Sequence, residues 1–119
     1  MAAIELDRVF GALADGTRRG AVDLLRKRPR RAGELARALD VSAPAMSRHL
    51  RVLRKAGLVE EDDAGDGGDD NRVRVYRLRK KPFAALRHWV EDVEAFWDDQ
   101  LAAFKAHAER TTRGGGGRT

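Results

Sequence analysis

The chain has no cysteine, which excludes disulfides, thiolate metal ligands and thiol redox sensing within it. It has no apolar run approaching the length of a membrane span. Its opening residues, MAAIELD, carry neither the basic segment nor the apolar stretch of a secretion signal. A cytoplasmic protein without a membrane partner is the expectation. Catalytic patterns are missing too: no Ser/His/Asp or Cys/His set stands in a recognisable context, and no glycine-rich phosphate loop opens a helix. The chain is therefore not expected to be an enzyme, and at 119 residues it has room for one modest core and none for a second, catalytic domain.

What is present centres on residues 41–59, VSAPAMSRHLRVLRKAGLV. Ser42 is a good N-cap, because its hydroxyl can accept from the orphan amides of a first turn, and Pro44 follows where a missing donor costs little. Met46, Leu50 and Leu53 then recur at i, i+4, i+7, one buried stripe, and Gly57 supplies a stop, so a helix is expected to end near Ala56. The face opposite the stripe carries Pro44, Arg48, Arg51 and Lys55, with Ala45, Ser47 and Val52 on its shoulders. Small residues at its start allow close approach to a major groove, and arginine beyond them can reach guanine edges or phosphates. The same pattern also describes an ordinary amphipathic surface helix with basic residues.

The flanks favour the groove reading. Residues 32–39 predict a short helix with Leu35, Ala36 and Leu39 inward, and Asp40, Val41 and Ser42 make a tight link into the next, a helix-turn-helix. Residues 58–60 and 72–79 read as two short strands joined by a Gly- and Asp-rich loop over residues 62–71, which makes a wing. From Thr17 to Leu58 twelve basic residues face only Asp23, Glu34 and Asp40, within a chain of formal net charge +5, an electrostatic footprint for an anionic polymer.

The motifs Ala14-Asp15 with Thr17-Arg18-Arg19, and Ser47-x-His49-Leu50-x-x-Leu53 running into Ala56-Gly57-Leu58-Val59, together with a basic strand ending VYRL, resemble the ArsR/SmtB-type winged helix-turn-helix repressors. The resemblance covers residues 4–109. One departure is Gly16, where the family usually has proline; glycine gives up the preset φ and keeps the turn. The resemblance implies a mostly α fold with a small β-hairpin, four helices, two strands and a last helix in that order, paired as a homodimer through the first and last helices. It implies double-stranded promoter DNA as partner. The residues placed on that DNA are Ser42, Ala43, Pro44, Ala45, Ser47, Arg48, His49, Arg51 and Lys55, with Arg72 and Arg74 gripping the flanking backbone from the wing. His49 lies at the edge of the buried stripe and either packs or touches a phosphate.

The ends of the chain carry the oligomer argument. Residues 4–13 put Leu6, Val9, Phe10 and Leu13 on one helical face. A longer helix is expected from about Pro82 to about Glu109, with Phe83, Leu86, Val90, Val93, Trp97, Leu101 and Phe104 in near-heptad spacing beside a second stripe of Ala85, Trp89, Phe96 and Ala103. Two stripes are too wide for one small core, so one is expected on its own domain and the other on a partner. The interface is placed at Leu6, Val9, Phe10, Trp89, Val93, Phe96, Trp97, Leu101 and Phe104. A two-fold dimer predicts an inverted-repeat operator. Residues 1–110 are read as the folded domain and residues 111–119, with four consecutive glycines, as a flexible tail.

Metal sensing is the family's best-known property, and its ligand patterns are absent. A cysteine-rich motif in the helix before the recognition helix is replaced by GELARAL, and no Asp-x-His occurs on the last helix, where the candidates are His88, Glu91, Asp92, His107 and Glu109. His107 with a carboxylate across the dimer axis is the remaining arrangement zinc would accept. A closer resemblance is to members with a Trp-rich last helix and no metal ligands, which act as constitutive or autoregulatory repressors. No cofactor is expected and the effector, if any, is open. The alternatives are a metal- or ligand-responsive repressor of the same fold and a dimeric module without DNA binding. The acids Glu60, Glu61, Asp62, Asp63, Asp66, Asp69 and Asp70 lack the ligand order of an EF-hand. They would be repelled by phosphate, so the wing tip is expected off the backbone, with Arg72, Arg74 and Arg77 making the wing contacts.

Overall fold

The computed structural model of the protein describes residues 3–66 and 72–116. The elements run α1 (Ala3–Leu13), α2 (Gly16–Leu25), α3 (Ala32–Ala38), α4 (Ala43–Lys55), β1 (Val59–Asp66), β2 (Arg72–Leu78) and α5 (Lys80–Gly116), the order expected of a winged helix-turn-helix. By contacts the chain divides into two units, Met1–Leu86 and Arg87–Thr119. Among the described residues no helix is long and apolar enough to cross a membrane.

The core of the first unit draws apolar side chains from each of its helices, taking the expected Leu35, Ala36, Met46, Leu50 and Leu53 and, in α1, Val9 with Ala12 in place of the exposed Phe10. Val9 and Ala12 come from α1, Ala21 and Leu25 from α2, Leu35 and Ala36 from α3, Met46, Leu50 and Leu53 from α4, and Leu58 and Val59 from the start of the wing. Phe83 and Leu86, in the first turns of α5, pack against it half-buried. Full burial of a side chain such as Leu50 contributes about 1.5–3 kcal/mol, and no buried polar side chain among the described residues offsets it. Val9, expected at the dimer interface, has no exposed surface: it sits in its own chain's core, because i, i+3 spacing with Ala12 turns it inward.

Two successive reversals set the recognition helix. After α3, Asp40 takes a left-handed φ of 54°, its N–H donates to the Arg37 carbonyl at 3.3 Å, and Val41 N–H donates to the Ala36 carbonyl at 3.0 Å, a Schellman ending with aspartate in the place glycine usually takes. After α4 the same motif recurs with Gly57 at φ 77°. Leu58 N–H donates to the Leu53 carbonyl at 3.0 Å, and both of these leucines are buried, which is the apolar contact that accompanies the motif. Between α2 and the end of α3 the approach is close enough that a Cβ on Gly20 would lie 2.7 Å from Leu39 Cδ2, so glycine there permits the packing.

The wing is longer than expected. β1 extends through Asp66 instead of stopping at Glu60, pairing antiparallel with β2 in the register Val59↔Leu78, Glu60↔Arg77, Glu61↔Tyr76 and Asp62↔Val75, with an irregularity between Asp63 and Asp66. Acidic residues are poor strand formers, but here Glu60 and Asp62 pair with Arg77 and Glu61 with Arg74 across the ladder, and opposite charges on neighbouring strands favour the extended form. Asp69, Asp70 and Asn71 of the expected loop lie outside the described residues. A third piece of sheet has no periodic signal at all: Arg30 bridges to Tyr76, with Tyr76 N–H donating to Arg30 O at 2.8 Å and Arg30 N–H donating to Tyr76 O at 3.1 Å.

In the second unit α5 remains helical past Glu109 to Gly116, since extending an existing helix adds a backbone bond per residue fixed. Thr111 Oγ1 also donates back to the His107 carbonyl at 2.9 Å. Residues 117–119 of the expected tail lie outside the described residues. The aromatic side chains of this unit are exposed, from 44% at Trp89 to 72% at Phe104.

Candidate nucleic-acid interface

α4 begins as its sequence requires. Ser42 stands in an extended conformation and its Oγ accepts from Ala45 N–H at 3.2 Å, with Pro44 in the first turn. Burial of Met46, Leu50 and Leu53 turns Ser42, Ala43, Pro44, Ser47, Arg48, Arg51, Val52, Arg54 and Lys55 outward, with Ala45 half-buried. The exposed surface is thus small at the helix N-terminus and cationic along its length. Arg48, Arg51 and Lys55 make no hydrogen bond or ion pair among the described residues, so their charges are unspent.

Much of the remaining positive charge is spent inside the fold. Arg18 Nε donates to the Ala12 carbonyl at 2.6 Å and its Nη2 to the Gly11 carbonyl at 3.1 Å, while Arg19 Nη1 donates to the Leu13 carbonyl at 2.8 Å. These guanidinium groups close the C-terminus of α1, where orphan carbonyls and the helix dipole favour cations. Arg28 pairs with Glu34 at 3.1 Å, and Arg30 Nε donates to the Leu24 carbonyl at 3.2 Å. Sequence reasoning counted all of these as footprint; side chains that bond backbone carbonyls leave no periodic trace.

His49 does not face outward with the arginines. Its Nδ1 lies 3.3 Å from Arg18 Nη1 and 3.9 Å from Asp15 Oδ1, and its side chain is mostly covered. Asp15 is the N-cap of α2, accepting from Arg18 N–H at 3.0 Å; that bond, with the charges of His49 and Arg18, holds its carboxyl below the ordinary value of 3.8 against a smaller opposing effect of burial. Glu34 is lowered likewise, first by Arg31 N–H and then by Arg28. His49 therefore ties α4 to the start of α2.

The wing stands beside the recognition helix through one carboxylate. Glu61, 14% exposed, pairs with Arg54 of α4 and with Arg74 of β2, the latter at 2.9 Å. Ser47, Arg51 and Tyr76 line the same cleft. Burial, reinforced by Glu61, raises the Tyr76 phenol above 10.0. On the ladder Arg77 pairs with Asp62 and, at 3.7 Å, with Glu60. Arg74 and Arg77, expected on the DNA backbone, are thus occupied by the wing's own acids; the Arg72 side chain lies outside what the structure describes.

Nothing at α3 suits a metal. The inward side chains there are Leu35 and Ala36, aliphatic and buried, and among the described residues no three His, Asp or Glu side chains lie close enough together to hold an ion. Zinc needs several nitrogen, sulfur or carboxylate donors together; the inward side chains of α3 offer none, and its one carboxylate, Glu34, is held by Arg28.

The fold and this surface have known counterparts. Residues 15–61 match the pattern of the bacterial regulatory proteins of the arsR family. The HTH-type transcriptional regulator Rv2034 of Mycobacterium tuberculosis is 46% identical over 98 residues, covering 82% of this chain and 83% of that protein. The solved structure of an ArsR-like transcriptional regulator from Rhodococcus sp. RHA1 superposes with a TM-score of 0.72 at 35% identity, over 89% of this chain and 92% of that one. A homodimeric winged helix-turn-helix DNA-binding domain from Mycobacterium bovis, solved in solution, superposes with a TM-score of 0.57 at 30% identity, over 76% of this chain and 79% of that one. With its helix-turn-helix, its wing and these likenesses taken together, the chain belongs to the arsR family of DNA-binding transcriptional regulators.

Proposed function

We propose that the chain acts as a homodimeric repressor that binds an inverted-repeat operator in a promoter, without a metal ion, and excludes other proteins from it. The observation that carries the reading is the outer face of α4. Small exposed residues, Ser42, Ala43, Pro44 and Ser47, precede Arg48, Arg51 and Lys55, whose charges are unpaired among the described residues. Such a face enters a major groove N-terminus first, the small residues against base edges and the arginines on guanine or phosphate. Dimerisation is supported by the exposed aromatic row on α5, where Phe96 and Trp97 also meet edge to face at 6.2 Å. Two copies related by a two-fold axis set their recognition helices about 34–36 Å apart, one turn of DNA.

The test is an anisotropy titration of the purified protein against its own upstream DNA and against a scrambled duplex, with and without chelator at fixed salt. Preference for the upstream DNA, unchanged by chelator, supports the proposal, and a footprint with two-fold symmetry identifies the repeat. Equal affinity for both duplexes rejects sequence-specific autoregulation. Loss of binding in chelator transfers the reading to a metal-responsive repressor.

A further inference from the structure

Glu61 stands at an unusual place for a carboxylate in a DNA-binding fold. It stands on β1 of the wing, shares a cleft with Ser47 and Arg51 of the recognition helix, is mostly buried, and pairs with Arg54 from α4 and Arg74 from β2. Both arginines keep over half of their side-chain surface exposed, so a solvent-borne phosphate can reach them. An arginine that already holds a carboxylate must surrender or share it before it can hold a phosphate, because both ligands use the same guanidinium donors. The pattern repeats up the ladder, where Asp62 and Glu60 hold Arg77, but among the ion pairs of the described residues the one between the wing and the recognition helix is that of Glu61 with Arg54.

Resting on the proposed DNA-binding role, we infer that Glu61 is an internal competitor for the phosphate backbone: it withholds Arg54 and Arg74 from DNA and so sets both the affinity of the protein and its salt dependence. The carboxylate mimics the phosphate it excludes. Arg48, Arg51 and Lys55 then carry the binding in the wild-type protein. Release of Arg54 and Arg74 adds contacts that carry no sequence information, since phosphates are the same at every site. Glu61 thereby lowers operator and non-specific binding by a similar factor, and the base contacts of α4 supply a larger share of what remains.

The experiment compares wild type, Glu61→Gln, Arg74→Ala and the double variant on a scrambled duplex about three helical turns long, across a salt series. Glutamine keeps the shape and an acceptor but removes the charge, and thermal unfolding confirms that each variant is folded. Glu61→Gln is expected to bind the scrambled duplex about tenfold more tightly near 0.1 M salt, with a log K against log salt slope steeper by about 0.9 for each arginine released. Arg74→Ala is expected to matter little alone and to remove much of the gain in the Glu61→Gln background, a coupling that a merely structural role does not produce. Unchanged affinity and slope in folded Glu61→Gln overturns the inference. Weaker binding than wild type overturns it as well and makes Glu61 a residue that positions the arginines on DNA. Absence of salt-dependent binding by wild type and Glu61→Gln alike removes the DNA-binding reading and this inference with it.

Discussion

Arg18 Nε donates to the Ala12 carbonyl at 2.6 Å, and the same guanidinium reaches His49 of the recognition helix at 3.3 Å. One side chain therefore closes α1, belongs to α2 and steadies α4. Removing it leaves the Ala12 and Gly11 carbonyls without their charged donor. Arg18→Ala is expected to lower the stability by about 2 kcal/mol, in the range for hydrogen bonds from charged groups. Arg18→Lys should recover only part, since an ammonium lacks the planar fork. Urea unfolding at constant m-value is the measurement, and an unchanged midpoint would falsify the capping role.

Asp15 gives the fold a pH dependence with a defined sign. Its carboxyl is held below its ordinary 3.8, chiefly by Arg18 N–H. A carboxyl with a depressed folded-state pKa stabilises the fold in full above its unfolded value and loses that contribution as pH falls through the folded one. Asp15→Asn keeps a capping oxygen but has no charge to titrate. The melting temperature of the wild type should therefore fall more steeply than that of the variant as pH drops below 3.8. Parallel curves would show that the cap is not electrostatic.

Gly16, the departure from the family's usual proline, stands first in α2 after an Asp15 with φ −98° and ψ 133°. That extended conformation is the one a residue before proline prefers. A Cβ at Gly16 meets nothing nearer than Arg19 Nη2 at 3.8 Å, and a first-turn N–H has no helical acceptor to lose. Gly16→Pro is expected to stabilise by about 0.4–1 kcal/mol through the unfolded state. Destabilisation would mean that the turn needs the freedom of glycine.

Legibility followed periodicity. The stripes Leu6, Val9, Phe10 with Leu13 and Met46, Leu50 with Leu53 located α1 and α4, and the Ser42 and Gly57 signals located both ends of α4. The Arg30 to Tyr76 bridge was invisible because a single residue has no period. The span of β1 was underestimated because Asp and Gly read as loop, whereas the ladder supplies Arg77 for Glu60 and Asp62. On the candidate surface the outward face of α4 could be read from the helix repeat. Which cations were already committed could not: the bonds of Arg18 to α1 and of Glu61 to Arg54 and Arg74 depend on tertiary placement.

Arg48 separates base reading from backbone gripping. It is exposed on the outer face of α4 and unpaired among the described residues. If its guanidinium holds a guanine edge, Arg48→Ala should cost about 1–3 kcal/mol on the preferred operator and relax selection at one position in each half-site. A phosphate contact would instead weaken all sequences alike and lower the salt slope by about one. Selection of operators from a random pool by wild type and variant distinguishes the two, and identical profiles exclude base reading by this residue.

Trp97 and Phe104 test the dimer. They are 59% and 72% exposed, an unfavourable state for aromatic side chains that bury about 150–250 Å² each when covered. A partner that covers them removes this surface from water, whereas a glutamate at either position would have to be desolvated in the same contact. Trp97→Glu and Phe104→Glu are therefore expected to shift the protein to monomer in sedimentation while the core around Leu35 and Leu50, to which neither residue belongs, keeps it folded. Because two linked half-site contacts are avid where one is not, operator affinity should fall by about 10²–10⁴-fold even though no residue of α4 has changed. A variant that stayed dimeric with full affinity would place the interface elsewhere. A variant that became monomeric yet bound as tightly would show that a single winged unit suffices for recognition, and with it the expectation of an inverted repeat would fall.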